Sequence, residues 1–265
     1  MTDRISFEIS NALSRILEEG YKPIAIMLYG SQNYGLQSED SDYDFKAIIV
    51  PTFEDIVHGR KLISTTIELN DGLCDIKDIR SMMSCWRKQN VNFVELLFIK
   101  WKWIDAEYCN ILSPLFENAE KIVHYDEDHA LKCIRGMQME KYHALFKPYP
   151  AQKEVIEKYG YAAKQLSHIL RLEDLVNKYI GGASYPECLT PSKEIAKQLI
   201  DIKTYKTLFN DMEKVKKCAE ESMERVNKLV EEYKFNPIDK EIEELMDNVT
   251  ANVIRCALRD EIMED

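Results

Sequence analysis

Little in the chain ties it to an oxidising compartment, a bilayer or a nucleic-acid duplex. Its seven cysteines, at 74, 85, 109, 133, 188, 218 and 256, are scattered, and no Cys-x-x-Cys occurs. An odd, unpatterned set fits reduced thiols rather than a disulfide framework or a zinc site. No apolar run of about eighteen residues is present, although 45% of the chain is hydrophobic. A soluble globular protein with no membrane partner is therefore expected. The start, Met1-Thr2-Asp3-Arg4, is polar and lacks the apolar core of a signal peptide, so the expected location is cytoplasmic. Positive charge is also short. At a net charge of −11 the chain offers no basic stripe of the kind that meets a long duplex. A nucleotide, a small molecule, a protein or a short RNA end remain as partners, and a local basic groove is compatible with the acidic average. Repeats and low-complexity tracts are lacking too.

At 265 residues the chain can hold one large domain or two small ones. Ile5, Ile9, Leu13, Ile16 and Leu17 share a helical face over 5–19, ending at Gly20. Two apolar runs, 24–29 and 45–50, read as buried strands. Residues 62–70 have strand character, Asp71-Gly72 is a hairpin turn signal, and 73–79 would be the returning strand. From 80 to about 100 the pattern turns helical, and 101–125 is a connector without a clear pattern. Helices are predicted over about 126–147, 150–180, 190–209, 211–234 and 237–262. The expected fold class is α+β: a small mixed-sheet catalytic domain over 1–125 and a helical domain over 126–265.

Between the first two strands, residues 30–44 read Gly-Ser-Gln-Asn-Tyr-Gly-Leu-Gln-Ser-Glu-Asp-Ser-Asp-Tyr-Asp. Gly30 lets backbone approach a phosphate closely, and Ser31 supplies an N–H and a hydroxyl. Side chains two apart on a strand share a face, so Asp42 and Asp44 can hold one divalent cation. Ser-Asp-x-Asp is also good turn chemistry. The Gly-Ser placed upstream at the end of an apolar strand, and a later acidic strand, favour the metal reading. Phosphoryl transfer with two Mg²⁺ uses a third carboxylate that also helps deprotonate the attacking hydroxyl. Asp75 is the choice for it, with Glu68 as the competitor; Asp78 points to the opposite face and Asp71 belongs to the turn.

Lys164, His168 and Arg171 are spaced four and three apart, along one side of a single helix whose Leu166, Ile169, Leu170 and Leu172 are apolar. Cations on a largely buried helix need a partner. A triphosphate would supply one, and so would neighbouring acids. Glu95, among Phe93, Val94, Leu96 and Leu97, reads as structural. Trp101 and Trp103 read as packing rather than a base-stacking platform. His124, His129 and His143 show no ligand spacing.

Gly30-Ser31, Gly35, Ser41-Asp42-x-Asp44 and Asp75 resemble the DNA polymerase β-type nucleotidyltransferase superfamily. Within it, Asn90-Val91-Asn92-Phe93-Val94-Glu95-Leu96-Leu97 and Lys164-x-x-x-His168-x-x-Arg171-Leu172 are similar to bacterial and phage members that include the RNA-ligase-associated repair protein. The similarity spans about 20–182. It implies a mixed sheet flanked by helices with the nucleotide between it and the helical half. It also implies Mg²⁺ or Mn²⁺ on Asp42 and Asp44, and Asp75 as the third ligand and general base. Gly30, Ser31 and Ser41 would serve the phosphate side of the site with Lys164, His168 and Arg171. The implied reaction moves an NMP from an NTP to a hydroxyl of an RNA end, a protein or a small molecule. Phe93 stands where proline is expected, which bears on loop shape. Two other readings remain: a catalytically silent nucleotide sensor or interaction protein on the same fold, and a glycosyltransferase, which the upstream Gly-Ser and the short chain disfavour.

Overall fold

The computed structural model describes residues 2–34, 42–207, 209 and 211–264. It divides into two compact units. The first comprises 1–33, 37–126 and 237–265, the second 34–36 and 127–236. The α+β class expected from the sequence is the class found.

In the first unit, α1 (Thr2–Glu18) leads into β1 (Pro23–Tyr29), then β2 (Asp44–Ile49) and the short α2 (Phe53–Val57). The hairpin β3 (Ser64–Glu68) and β4 (Leu73–Asp78) follows, and then α3 (Ile79–Arg87), α4 (Val91–Val94), β5 (Lys102–Ile104), α5 (Cys109–Glu117) and α6 (Ala119–His124). The five strands form one mixed sheet in the order β3-β4-β2-β1-β5. β2 and β4 are parallel, and the other neighbours are antiparallel.

Alternation along each strand sorts the two faces. Ile26, Leu28, Phe45, Ala47, Ile49, Cys74 and Ile76 are buried with Ile5, Ala12 and Ile16 of α1 in one apolar cluster. Trp101 and Trp103 pack against that cluster, as packing residues should. The other face carries Met27, Tyr29, Asp44, Lys46, Asp75 and Lys77, in register across β1, β2 and β4.

The helix expected over 80–100 is broken. Gln89 takes a positive φ of 50°, which ends α3, and its side-chain amide donates to the carbonyls of Trp86 and Ile122. Asn90 then caps α4 by accepting from the Asn92 amide at 3.1 Å. Within the connector that had no clear pattern, β5 pairs with β1.

The second unit contains α7 (Glu127–Leu145), α8 (Lys153–Tyr159), α9 (Ala163–Ile180), α10 (Tyr185–Leu189), α11 (Lys193–Lys203) and α12 (Met212–Glu232). The predicted 150–180 helix is split at Gly160, whose φ of +81° places it in the left-handed region and stops α8. A Cβ there would lie 2.7 Å from the Met212 sulfur. Glu127 accepts from the Tyr233 hydroxyl and from the backbone and side-chain amides of Asn236. The last helix, α13 (Lys240–Glu264), belongs to the first unit, where it packs on α3 and α5. The first unit therefore includes the end of a chain whose residues 126–265 had been grouped together as helical. Among the described residues, no helix is long and apolar enough to cross a membrane.

Gly72, in the β3–β4 turn, has a φ of +108°, and a Cβ on it would meet the Tyr43 carbonyl oxygen at 2.5 Å. Gly59 also has a positive φ, +56°, but faces open space. Left-handed backbone alone costs about 1 kcal/mol for alanine, so we expect Gly59→Ala to lose about that much in urea unfolding. Gly72→Ala should lose at least about 3 kcal/mol, because backbone must move as well. Equal losses would show that the β3–β4 turn does not approach Tyr43 this closely.

Candidate functional site

The register Tyr29↔Asp44 sets β1 and β2 side by side at one end of the sheet. β1 runs out into Gly30 there, and β2 begins. Gly30 has a φ of +96°, and the space where a Cβ would stand is empty to 4 Å. Residues Ser31–Asn33 form one 3₁₀ turn. Asn33 clamps it, its backbone amide donating to the Gly30 carbonyl at 3.1 Å and its side-chain amide to the Leu28 carbonyl at 3.0 Å. Gly35 and Ser41 lie outside the described residues. Asp42 is exposed just before β2, Tyr43 is buried, and Asp44 is partly buried.

One Asp44 oxygen, Oδ1, accepts from the Leu73 backbone amide at 3.1 Å. That bond ties the first residue of β4 to the first residue of β2. Asp75 faces the same side, as alternation requires, but its carboxylate is already held. Lys46 Nζ lies 3.1 Å from Oδ2 and Lys77 Nζ 3.5 Å from Oδ1. Lys46 is only 5% exposed, and an ammonium so enclosed needs a negative partner. It also stands 4.2 Å from the ring centres of both Tyr29 and Phe93, and Lys77 lies 5.0 Å from Phe93. Phe93 therefore does more than shape a loop. It is a face on which two lysine cations rest. Neither lysine was singled out from the sequence, and the period-two position of Lys46 after Asp42 and Asp44 was the available signal.

The competitors take structural places. Glu68 pairs with Leu73 at the exposed end of β3. Asp71 forms an ion pair with Arg4 at 2.9 Å. Asp78 is fully buried, caps α3 through the Arg80 amide and receives the Arg80 guanidinium at 2.6 and 3.0 Å. Glu95 is buried where α4 passes into a 3₁₀ turn. All seven cysteines are free.

Asp42 and Asp44 are hard oxygen donors of the kind that suit Mg²⁺ or Mn²⁺, and the second Asp44 oxygen is not used by Leu73. Among the described residues, no group of three or more His, Cys, Asp or Glu side chains is arranged to hold a metal. Asp75, the expected third carboxylate, is engaged by Lys46 and Lys77 instead.

In the second unit, Lys164, His168 and Arg171 lie along α9 as their spacing requires. Arg171 stacks over the ring of Tyr34, 4.4 Å from its centre. His168 retains some solvent-accessible surface but is densely surrounded. Burial first, then Arg171, Lys164, Lys141 and Lys203, drive its pKa down to about 3. The ring is thus a neutral hydrogen-bonding group among cations.

A groove of about 770 Å³ lies elsewhere in the first unit, between α5 and α13, lined by Ile111, Pro114, Leu245 and Val249 among others. It contains none of the residues above.

Neither a family model nor a curated protein matches the chain. Among solved structures, it is similar to a nucleotidyltransferase-like protein from Exiguobacterium sibiricum 255-15. The match has 12% identity, covers 84% of this chain and 74% of that one, and has a TM-score of 0.30. A likeness at that score carries no argument about this chain.

The depressed His168 pKa predicts a linkage. Between about 3 in the fold and about 6.5 unfolded, the unfolded chain binds the extra proton, so stability rises with pH. This contribution is complete above the unfolded value and declines as pH falls toward the folded one. We expect imidazole NMR signals of His168 to stay those of a neutral ring at pH 5, and titration near 6.5 would contradict the cation ring around it.

Proposed function

We propose that the chain is a divalent-cation-dependent nucleotidyltransferase that moves an NMP from an NTP to a hydroxyl. The observation that carries this reading is the Tyr29↔Asp44 register, which brings the Gly30 turn and the Asp42-x-Asp44 pair to one end of adjacent strands. A phosphate-approach turn beside paired carboxylates is what phosphoryl transfer needs. The resemblance of residues 30–44 to the polymerase β-type superfamily supports the same assignment.

Asp42 and Asp44 would hold Mg²⁺ or Mn²⁺, which when bound supplies Lewis-acid charge to the phosphate oxygens. Gly30 and Ser31 would present backbone to the β- and γ-phosphates, and the resemblance gives Lys164 and Arg171 of the second unit a phosphate role as well. His168, kept neutral, would donate or accept a hydrogen bond without adding charge. In the reaction, the acceptor oxygen bonds to the α-phosphorus as the bond to the α–β bridging oxygen breaks. Pyrophosphate leaves with that electron pair, and the hydroxyl proton passes to a base. Asp75 is the proposed base and third ligand, and to serve it must release Lys46 or Lys77. Acceptors in order of preference are an RNA end, a protein side chain and a small molecule.

The pairing of Asp75 favours one alternative, a nucleotide sensor that binds without turnover. Three converging carboxylates would repel one another without a cation, whereas Lys46 and Lys77 already balance this one.

The test is incubation with each α-labelled NTP, Mg²⁺ or Mn²⁺, and RNA and protein extracts. We expect label in one fraction with the native chain, and a loss of at least about a hundredfold in Asp44→Ala with the fold retained. Transfer by Asp44→Ala at the native rate would overturn the site. NTP binding without transfer to any acceptor would favour the sensor.

A further inference from the structure

Within the second unit, positive charge gathers from three helices. Gln138 of α7 donates to the Ile169 carbonyl at 3.0 Å, and the Ala162 amide donates to the Leu145 carbonyl at 2.9 Å. α7 thus runs antiparallel to α9, and Lys141, one turn beyond Gln138, comes beside the His168 turn. On another side, the Ser167 hydroxyl donates to the Leu199 carbonyl of α11 at 3.1 Å. Just past α11, the Tyr205 hydroxyl accepts from the Ala163 amide at 3.1 Å and donates to the Tyr161 carbonyl at 2.9 Å. Lys203 lies between those two anchors, along the first turns of α9 where Lys164 stands.

Burial and then Lys164 hold the Lys203 pKa below its ordinary value. Lys141 pairs with its sequence neighbour Glu140 at 2.9 Å. Among the described residues, no carboxylate pairs with Lys164, Arg171 or Lys203. The chain has 46 acidic residues against 35 lysines and arginines, so unpaired cations from separate helices are not a shortage of partners. Such a group is most stable with a polyanion on it.

We infer that Lys203, with Lys141, completes a polyphosphate-binding site that Lys164 and Arg171 begin, gripping a chain of phosphates rather than one. This rests on the reading of Lys164 and Arg171 as phosphate ligands and extends it to α7 and α11. A triphosphate, with its charge spread along its length, is the matching ligand class.

The test is calorimetric titration of the full chain with orthophosphate, pyrophosphate and tripolyphosphate at fixed ionic strength, without nucleotide or divalent cation. Affinity should rise in that order, and Lys203→Met should weaken tripolyphosphate binding about tenfold. Lys197→Met, an exposed lysine on the same helix, should change it by less than about twofold. Native-like binding by Lys203→Met alongside weakened binding by Lys164→Met would overturn the extension and leave the proposed function standing. Unchanged binding in both would overturn the extension and the phosphate role of α9 together. Equal losses in Lys197→Met and Lys203→Met would show general charge attraction and overturn the site. If Lys203→Met loses its fold by circular dichroism, Lys141→Met is read in the same way.

Discussion

Asp44 and Lys46 face one side of the sheet because Phe45, Ala47 and Ile49 must face the other. Those three side chains are at most 1% exposed and close the cluster with α1. Strand alternation has a period of two, so a slip of one residue would put the carboxylate and the ammonium in the core. Burying two charges without hydrogen-bonded partners costs far more than the register gains. The hydrophobic face therefore fixes the polar face. It also fixes which residues meet across the strands: Tyr29 beside Asp44, and Lys46 beside Asp75.

The polar face then solves its own electrostatic problem. Lys46 could not remain enclosed as a bare cation, and Asp75 and the rings of Tyr29 and Phe93 surround it. Lys77 adds a second ammonium to the same carboxylate. Asp75 is thus balanced within the fold, whereas Asp42 is exposed ahead of β2 and Asp44 lies at the strand's mouth. This difference separates Asp75, engaged by two ammonium groups, from the two carboxylates proposed to meet a cation. The second unit has the opposite character: its cations crowd a histidine that burial keeps neutral.

The strands of the sheet were legible where apolar runs or period-two alternation were long enough, as in 24–29, 45–50 and 73–79. β5 was not, because its three residues are strand only through pairing with β1, although Trp101-Lys102-Trp103 already alternates. Gln89 and Gly160 interrupt predicted helices through left-handed backbone. A glycine advertises that conformation and a glutamine does not. That Asp44 opens a strand could be read from the apolar run that follows it. The engagement of Asp75 could not, since its partners come from β2 and from its own strand, and lysine in a strand carries no signal of its pairing. The approach of Lys141 and Lys203 to α9 was illegible for a related reason: it arises only through helix packing between residues far apart in the chain.

In the proposed function, the Asp42–Asp44 pair holds the cation of a nucleotide. Crystals grown with Mn²⁺ and a non-hydrolysable NTP would test it most directly through the anomalous signal of manganese. We expect a peak within about 2.5 Å of carboxylate oxygens from both Asp42 and Asp44, with phosphate density bridging to it. Bound nucleotide with manganese ligated elsewhere, or with neither aspartate in contact with it, would rule out a cation at this pair.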